Sequence, residues 1–166
     1  YADVLMNHQN RGGADYDPIS IAFISDIHLG SKYFLEETWD KMMHWLNTAD
    51  LAKNIKYLVL SGDTVDGVGI YPGQENNLLI ADAFDQYEVF ARKLDELPEH
   101  ITPIILPGNH DAVRPAEPQP MLESSIQQKF NSAVHVGNPC RINLSGIEVL
   151  SYHGKGMDDI IPRMDD

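Results

Sequence analysis

The sequence predicts an α/β fold built on parallel strands. Short, strongly apolar runs recur at Ile19–Ser25, Ile55–Gly62 and from Ile101 to Pro107. Stretches with apolar residues every three or four positions separate them. Each run stops at a polar turn containing glycine or histidine. The resulting order β-α-β-α-β implies right-handed crossovers, with helices covering the sheet.

Tyr1 to Asp17 reads as an arm or linker, because "RGGADYDP" is turn-rich and has no apolar period. Residues 18–166 read as the domain. "ISIAFIS" suits a buried strand. Phe34 to about Asn47 reads as a helix with Leu35, Trp39, Met42, Met43 and Leu46 on one face. "IKYLVLSG" is the second strand, and "DTVDGVGIYPGQEN" a long loop. Asn77 to Leu97 reads as a long helix whose apolar face holds Ile80, Phe84, Tyr87, Ala91 and Leu94. "ITPIILPG" is the third strand, and Met121 to Phe130 a further helix. "AVHVG", "CRINLSG" and "IEVLSYHG" are short strands, the last two divided by a hairpin turn at Gly146. "MDDIIPRMDD" reads as a helical turn or a frayed tail.

Composition narrows the function classes. The chain has 166 residues, 43% of them hydrophobic, enough to bury a sizeable core. It contains no apolar run long enough for a membrane span and no signal-peptide pattern. The expectation is a cytoplasmic protein, and a first residue other than Met points to a fragment of a longer chain. The lone Cys140 cannot form an internal disulfide and reads as a structural thiol. A net charge of −13 opposes binding of free nucleic acid by the domain as a whole. The same surplus of carboxylates serves solubility and can supply metal ligands.

The chemistry gathers at the strand ends. The first strand runs into Asp26-Ile27-His28, the second into Gly62-Asp63 with Asp66 three residues on, and the third into Gly108-Asn109-His110-Asp111. A fourth strand ends at His153-Gly154. In a parallel sheet the carboxyl ends of the strands share one edge, where ligands bind. Asp26, His28, Asp63, Asn109 and His110 are therefore expected to converge, with His153 at the fourth junction. Each pair is a weak signal alone, since Gly-Asp after a strand is commonly a turn and a single histidine is commonly structural. Their ordered placement is what points to a site. Mixed carboxylate, imidazole and amide oxygen ligands without thiolate suit divalent Mn, Fe, Zn or similar ions. One Asp can bridge two ions about 3.5–4 Å apart, and Asp63 is central in the order. Such a pair activates a hydroxide and offsets charge in an in-line attack on phosphorus.

Asp-x-His, Gly-Asp-x-x-Asp, Gly-Asn-His-Asp and the later strand-end histidine together resemble the calcineurin-like metallophosphoesterase superfamily. The resemblance implies a β-sandwich of two mixed sheets flanked by helices, with a two-metal centre at the sheet edge. "GVGIYPGQE" and "VRPAEPQP" are similar to a narrower group, the small exonuclease subunits of archaeal family D DNA polymerases. By that resemblance Asp26, His28 and Asp63 hold one metal, and Asp63, Asn109 and His153 the other. His110 is the general acid, held by Asp111, while Asp66 orients a ligand or water. Arg114 reads either as a phosphate clamp or as a surface salt bridge. The cofactors implied are two divalent ions, Mn first, with Fe, Zn, Ni or Mg as alternatives. The superfamily's closing Gly-His-x-His motif is missing from these 166 residues. The expectation is a domain incomplete at its C-terminus, with weak metal affinity and low activity as it stands.

The leading expectation is a proofreading 3′–5′ exonuclease domain. Its partners would be the large catalytic polymerase subunit, which supplies a basic channel, and a single-stranded or frayed 3′ DNA end. The alternatives are a phosphoesterase for another substrate and a non-catalytic structural polymerase subunit.

Overall fold

A computed structural model describes residues 3–6 and 18–164. The order of strands and α-helices is β1 (Asp3–Met6), β2 (Ser20–Ile24), α1 (Glu36–Thr48), β3 (Ile55–Ser61), α2 (Ala83–Leu94), β4 (Thr102–Leu106), α3 (Ser124–Gln127), β5 (Val134–His135), β6 (Cys140–Leu144), β7 (Ile147–Ser151) and α4 (Met157–Ile160). The larger sheet has the order β2-β3-β4-β5, and every pairing in it is parallel. The smaller sheet has the order β1-β6-β7, with β1 parallel to β6 and β6 antiparallel to β7. The fold is thus mixed α/β, as the β-α-β-α-β order implies.

The larger sheet is covered on both faces, which explains the near-continuous apolar run of β3. Side chains alternate along a strand. Leu58 and Leu60 of β3, and Ile105 of β4, pack with Trp39, Met43, Tyr87 and Phe90 of the helices. Tyr57 and Val59, with Ile104 and Leu106, pack instead against Ile142 and Leu144 of the smaller sheet. Cys140 belongs to this second core, and burial pushes its thiol up to about 11. The two long helices meet through the Trp39 and Phe90 rings, whose centroids are 5.7 Å apart.

Local differences from the sequence reading have physical causes. The second helix starts at Ala83 rather than Asn77, because Asp82 caps it. The Asp82 carboxylate accepts hydrogen bonds from the amides of Phe84 (2.8 Å) and Asp85 (3.1 Å). Its buried face is accordingly Tyr87, Phe90, Ala91 and Leu94, while Phe84 is half exposed. The helix expected over 121–130 is a single turn. Residues 3–6 of the expected arm form a strand on β6, and the remainder of 1–17 lies outside the described residues. The β6–β7 hairpin turns at Ser145 (φ 52°) and Gly146 (φ 92°), the paired left-handed residues of a type I′ turn. Among the described residues no helix is long and apolar enough to cross a membrane.

Candidate metal centre

The loops leaving β2 and β3 are stitched together by their backbones. Asp26 N donates to Gly62 O (3.1 Å), His28 N to Asp63 O (3.0 Å) and Asp66 N to Leu29 O (2.8 Å). Asp26, His28 and Asp63 all adopt left-handed φ, at 57°, 50° and 52°. Non-glycine residues in that region are strained by about 1 kcal/mol or more each, and such strain persists where the surroundings hold it. Two glycines let the loops close. A Cβ on Gly108 would stand 2.6 Å from the Asp63 nitrogen and 2.8 Å from His153 Nε2. On Gly62 (φ 98°) it would run into the His153 ring.

Asp63 sits at the centre. Its Oδ2 lies 3.7 Å from His28 Nε2 and 3.4 Å from His153 Nε2. Its Oδ1 accepts the amide of His110 at 2.8 Å. Asp26 Oδ1 is 3.8 Å from His28 Nε2, and Asn109 Oδ1 is 3.1 Å from His153 Nε2. Two groups of possible ligands result, His28 with Asp63 and His110, and Asp26 with Asp63 and His153. The ligand atoms of each group lie within 4.8 Å of one another, and Asp63 belongs to both.

The three histidines share one arrangement. His28 Nδ1–H donates to Asp66 Oδ1 (3.1 Å), His110 Nδ1–H to the Asp66 carbonyl (2.7 Å) and His153 Nδ1–H to the Ser61 carbonyl (2.9 Å). Fixing Nδ1 from behind leaves Nε2 to face the cluster, which is how metal-ligating histidines are commonly held. Asp66 is itself buried and pinned by Gln74, whose amide donates to its carbonyl (2.8 Å) and to Oδ2 (2.9 Å).

The electrostatics favour a cation. Burial opposes ionisation of Asp63, but hydrogen bonds from His153 and from the His110 amide hold its carboxyl below the usual range. The Asp63 carboxylate in turn raises the His153 imidazole to about 9. At neutral pH a proton therefore sits among these oxygens, where a metal ion would displace it. Carboxylate and amide oxygens with imidazole nitrogens, and no thiolate, fit hard or borderline divalent ions. The residues present thus fit the two ions the sequence reading implies.

Asp26, His28, Asp63, Asn109, His110 and His153 all line one open cleft of about 320 Å³. Lys155 and Asp158 stand at the same cleft, paired at 2.7 Å, and sequence reasoning missed them. Their only signal was position, just past the strand-end histidine. Two expected roles are corrected. Asp111 does not hold His110. It is buried and accepts from Thr64 Oγ1 (2.7 Å), Tyr87 OH (2.9 Å) and the Gly108 amide (2.8 Å), so it ties the β3 loop to the β4 loop. His110 is held by Asp66 instead. Among the described residues Arg114 neither lines the metal cleft nor forms a salt bridge. Both its Nε and its NH2 group donate to the Pro118 carbonyl, because the proline-rich loop folds back on itself.

A second device escaped the sequence reading. Asn138 Oδ1 accepts the His153 amide (2.9 Å), and its Nδ2 donates to Gln119 Oε1 (2.7 Å). Gln119 Nε2 donates to the Gly108 carbonyl (3.1 Å), so His153 and the Asn109 loop are held by one buried amide chain.

A cluster of this kind at one sheet edge has counterparts among known proteins. Residues 21–162 match the family of the B-type subunit of DNA polymerases alpha and epsilon. The chain belongs to that family. Among curated relatives, the DNA polymerase II small subunit of Archaeoglobus fulgidus is 46% identical over 172 residues, covering 99% of this chain and 35% of that protein. The DNA polymerase II small subunit of Methanocaldococcus jannaschii is 47% identical over 154 residues, covering 87% of this chain and 26% of that protein. That of Pyrococcus abyssi is 45% identical over 148 residues, covering 83% and 24%. The chain spans about a third or less of the length of these relatives.

Proposed function

We propose that this chain is the phosphodiesterase domain of an archaeal DNA polymerase small subunit, and that it removes nucleotides from a 3′ DNA end. Its partners on this reading are the large catalytic subunit and a frayed or single-stranded 3′ terminus. The observation that carries the reading is the position of Asp63 Oδ2 between the inward-facing Nε2 atoms of His28 and His153. Names of the curated relatives support the polymerase assignment. The metallophosphoesterase-type sandwich of two mixed sheets belongs to the same proposal.

Asp26, His28 and Asp63 would hold one divalent ion, and Asp63, Asn109 and His153 the other, with Mn the first choice. Such a pair supplies Lewis acidity toward phosphate oxygens and a lowered pKa for water. The protein's own residues supply the rest. Asp66 and Ser61 keep the histidine rings oriented, and Asn138 keeps His153 in place. His110, with Nδ1–H on the Asp66 carbonyl, turns Nε2 toward the cleft. In its protonated form it delivers that proton to the departing O3′ of the penultimate nucleotide as the P–O3′ bond breaks. Water oxygen ends on phosphorus, and the product is a nucleoside 5′-monophosphate.

The test uses the full-length polypeptide containing this chain, with Mn²⁺ and 5′-labelled single-stranded DNA. The expected result is stepwise shortening from the 3′ end with release of nucleoside 5′-monophosphates. His110→Ala should slow turnover by about 10²- to 10⁴-fold while bound metal stays unchanged. Internal cleavage, or no hydrolysis by protein that binds metal, would count against the reading. If His110→Ala loses metal, the residue is a ligand and not the acid.

A further inference from the structure

The metal cleft opens sideways into a second, larger cleft of about 470 Å³ that the chemistry above does not use. The two share Asp26, His28 and His110, so the second begins where the reacting phosphate would lie. Away from that end its walls are apolar and aromatic, formed by Tyr33, Phe34, Leu35, Trp39, Met42 and Tyr71. Several of these side chains are unusually open to solvent, with Tyr33 66%, Leu35 69% and Tyr71 40% exposed. The Tyr71 ring lies 6.3 Å from the His110 ring, which places an aromatic face next to the expected proton donor. Apart from the shared residues, the buried Asp66 that pins them and the tyrosine hydroxyls, the polar side chains of the wall are Ser31 and Thr38.

We propose that this cleft takes the 3′-terminal nucleobase of the substrate by stacking, without reading its sequence. The inference rests on the phosphodiesterase reading above and deepens it. The cleft's volume is in the range of small-molecule sites. Every base offers a π face, so aromatic walls accept all four, and a wall poor in hydrogen-bonding groups cannot tell them apart. The charge of the chain points the same way. At −13 it offers no general attraction to a polyanion, so a grip on the terminal nucleotide has to come from contacts other than phosphate pairing. A base paired in a duplex cannot enter the cleft, whereas a frayed end can.

The experiment compares single-stranded oligonucleotides ending in a normal 3′ residue with ones ending in an abasic 3′ residue, using the full-length polypeptide. In parallel, a 3′-terminal 2-aminopurine reports stacking by fluorescence quenching in EDTA, where hydrolysis plays no part. The wild type should show a KM for abasic ends roughly 5- to 100-fold above that for normal ends. The four bases should agree within a few-fold, and 2-aminopurine should be quenched. Tyr33→Ala and Tyr71→Ala should move the abasic-to-normal KM ratio toward one and weaken the quenching, while Tyr71→Phe should restore both. Hydrolysis with equal KM for abasic and normal ends would overturn the subsite and leave the phosphodiesterase reading standing. Quenching that Tyr33→Ala abolishes, without any hydrolysis, would overturn the phosphodiesterase reading and leave the subsite standing. Absence of quenching in the wild type overturns the subsite outright, as does quenching that neither alanine variant weakens.

Discussion

Gly108→Ala is the sharpest perturbation of the site, because it adds one methyl group and changes no charge. Gly108 is not in the left-handed region, so the methyl causes no backbone strain of its own. The conflict is one of space. The new Cβ would lie 2.8 Å from His153 Nε2 and 2.6 Å from the Asp63 nitrogen, and closer still to Asp63 Oδ1. Ordinary contact begins near 3.4 Å, so the neighbours must withdraw by about 0.6 and 0.8 Å at least. Asp63 cannot yield alone, because its Oδ1 is tied to the His110 amide and its carbonyl to the His28 amide. Overpacking of this kind costs about 1–3 kcal/mol. For a domain of this size that is a drop of roughly 2–12 °C in Tm. A ligand constellation tolerates about 0.5 Å, so the metal shared by Asp63 and His153 should bind at least about tenfold more weakly. Thermal unfolding and titration with Mn²⁺ measure the two effects separately. Unchanged Tm together with unchanged metal affinity would refute the close apposition of Gly108, Asp63 and His153.

Tyr87→Phe removes a donor to Asp111 and leaves the Ala112 amide without its acceptor, so it should cost about 1–3 kcal/mol in urea unfolding. A neutral result would mean that this buried network does not hold the loops. Asp82→Ala deletes the cap of α2 and should cost about 0.5–2 kcal/mol, with faster hydrogen exchange confined to the first turn. Unchanged exchange there would mean that the carboxylate does not cap the helix. His135 predicts a pH dependence. Burial lowers its imidazole to about 4, its ring packs 5.3 Å from Phe130, and neither ring nitrogen has a partner among the described residues. The unfolded chain takes up this proton near pH 6.5 and the folded chain only near 4, so stability falls as pH drops through that window. After discounting for partial exposure the loss is about 1–2 kcal/mol, and His135→Phe should flatten the difference between pH 7 and pH 4.5. A wild type and variant with the same pH profile would contradict it.

Much of the fold was legible because the strands are buried on both faces. "KYLVLS" is apolar throughout, so period and length agree on a central strand. The candidate ligands were legible for a related reason. Chemistry at a parallel sheet gathers at strand ends, and each ligand-bearing strand here stops at an Asp, Asn or His within a few residues. The start of α2 was not, since its boundary depends on which of several polar residues caps it, and it is the Asp82 carboxylate that turns back on the helix. The positioning residues were hidden for a deeper reason. Gln74, Gln119 and Asn138 carry no local pattern, and their importance comes from partners 8 to 19 residues away in sequence. Asp111 misled because its neighbour in sequence, His110, is not its neighbour in hydrogen bonding. The peptide between them turns one side chain into the cleft and the other into the interior.

Everything proposed for the site depends on Asp63 joining two metal ions. The decisive quantity is the metal content of the full-length polypeptide, after loading with Mn²⁺ and removal of excess, beside that of Asp63→Asn. The wild type should hold two ions per chain, and the variant should lose both or keep only weak binding. Two ions retained by Asp63→Asn, or none bound by the folded wild type, would contradict the shared role of Asp63.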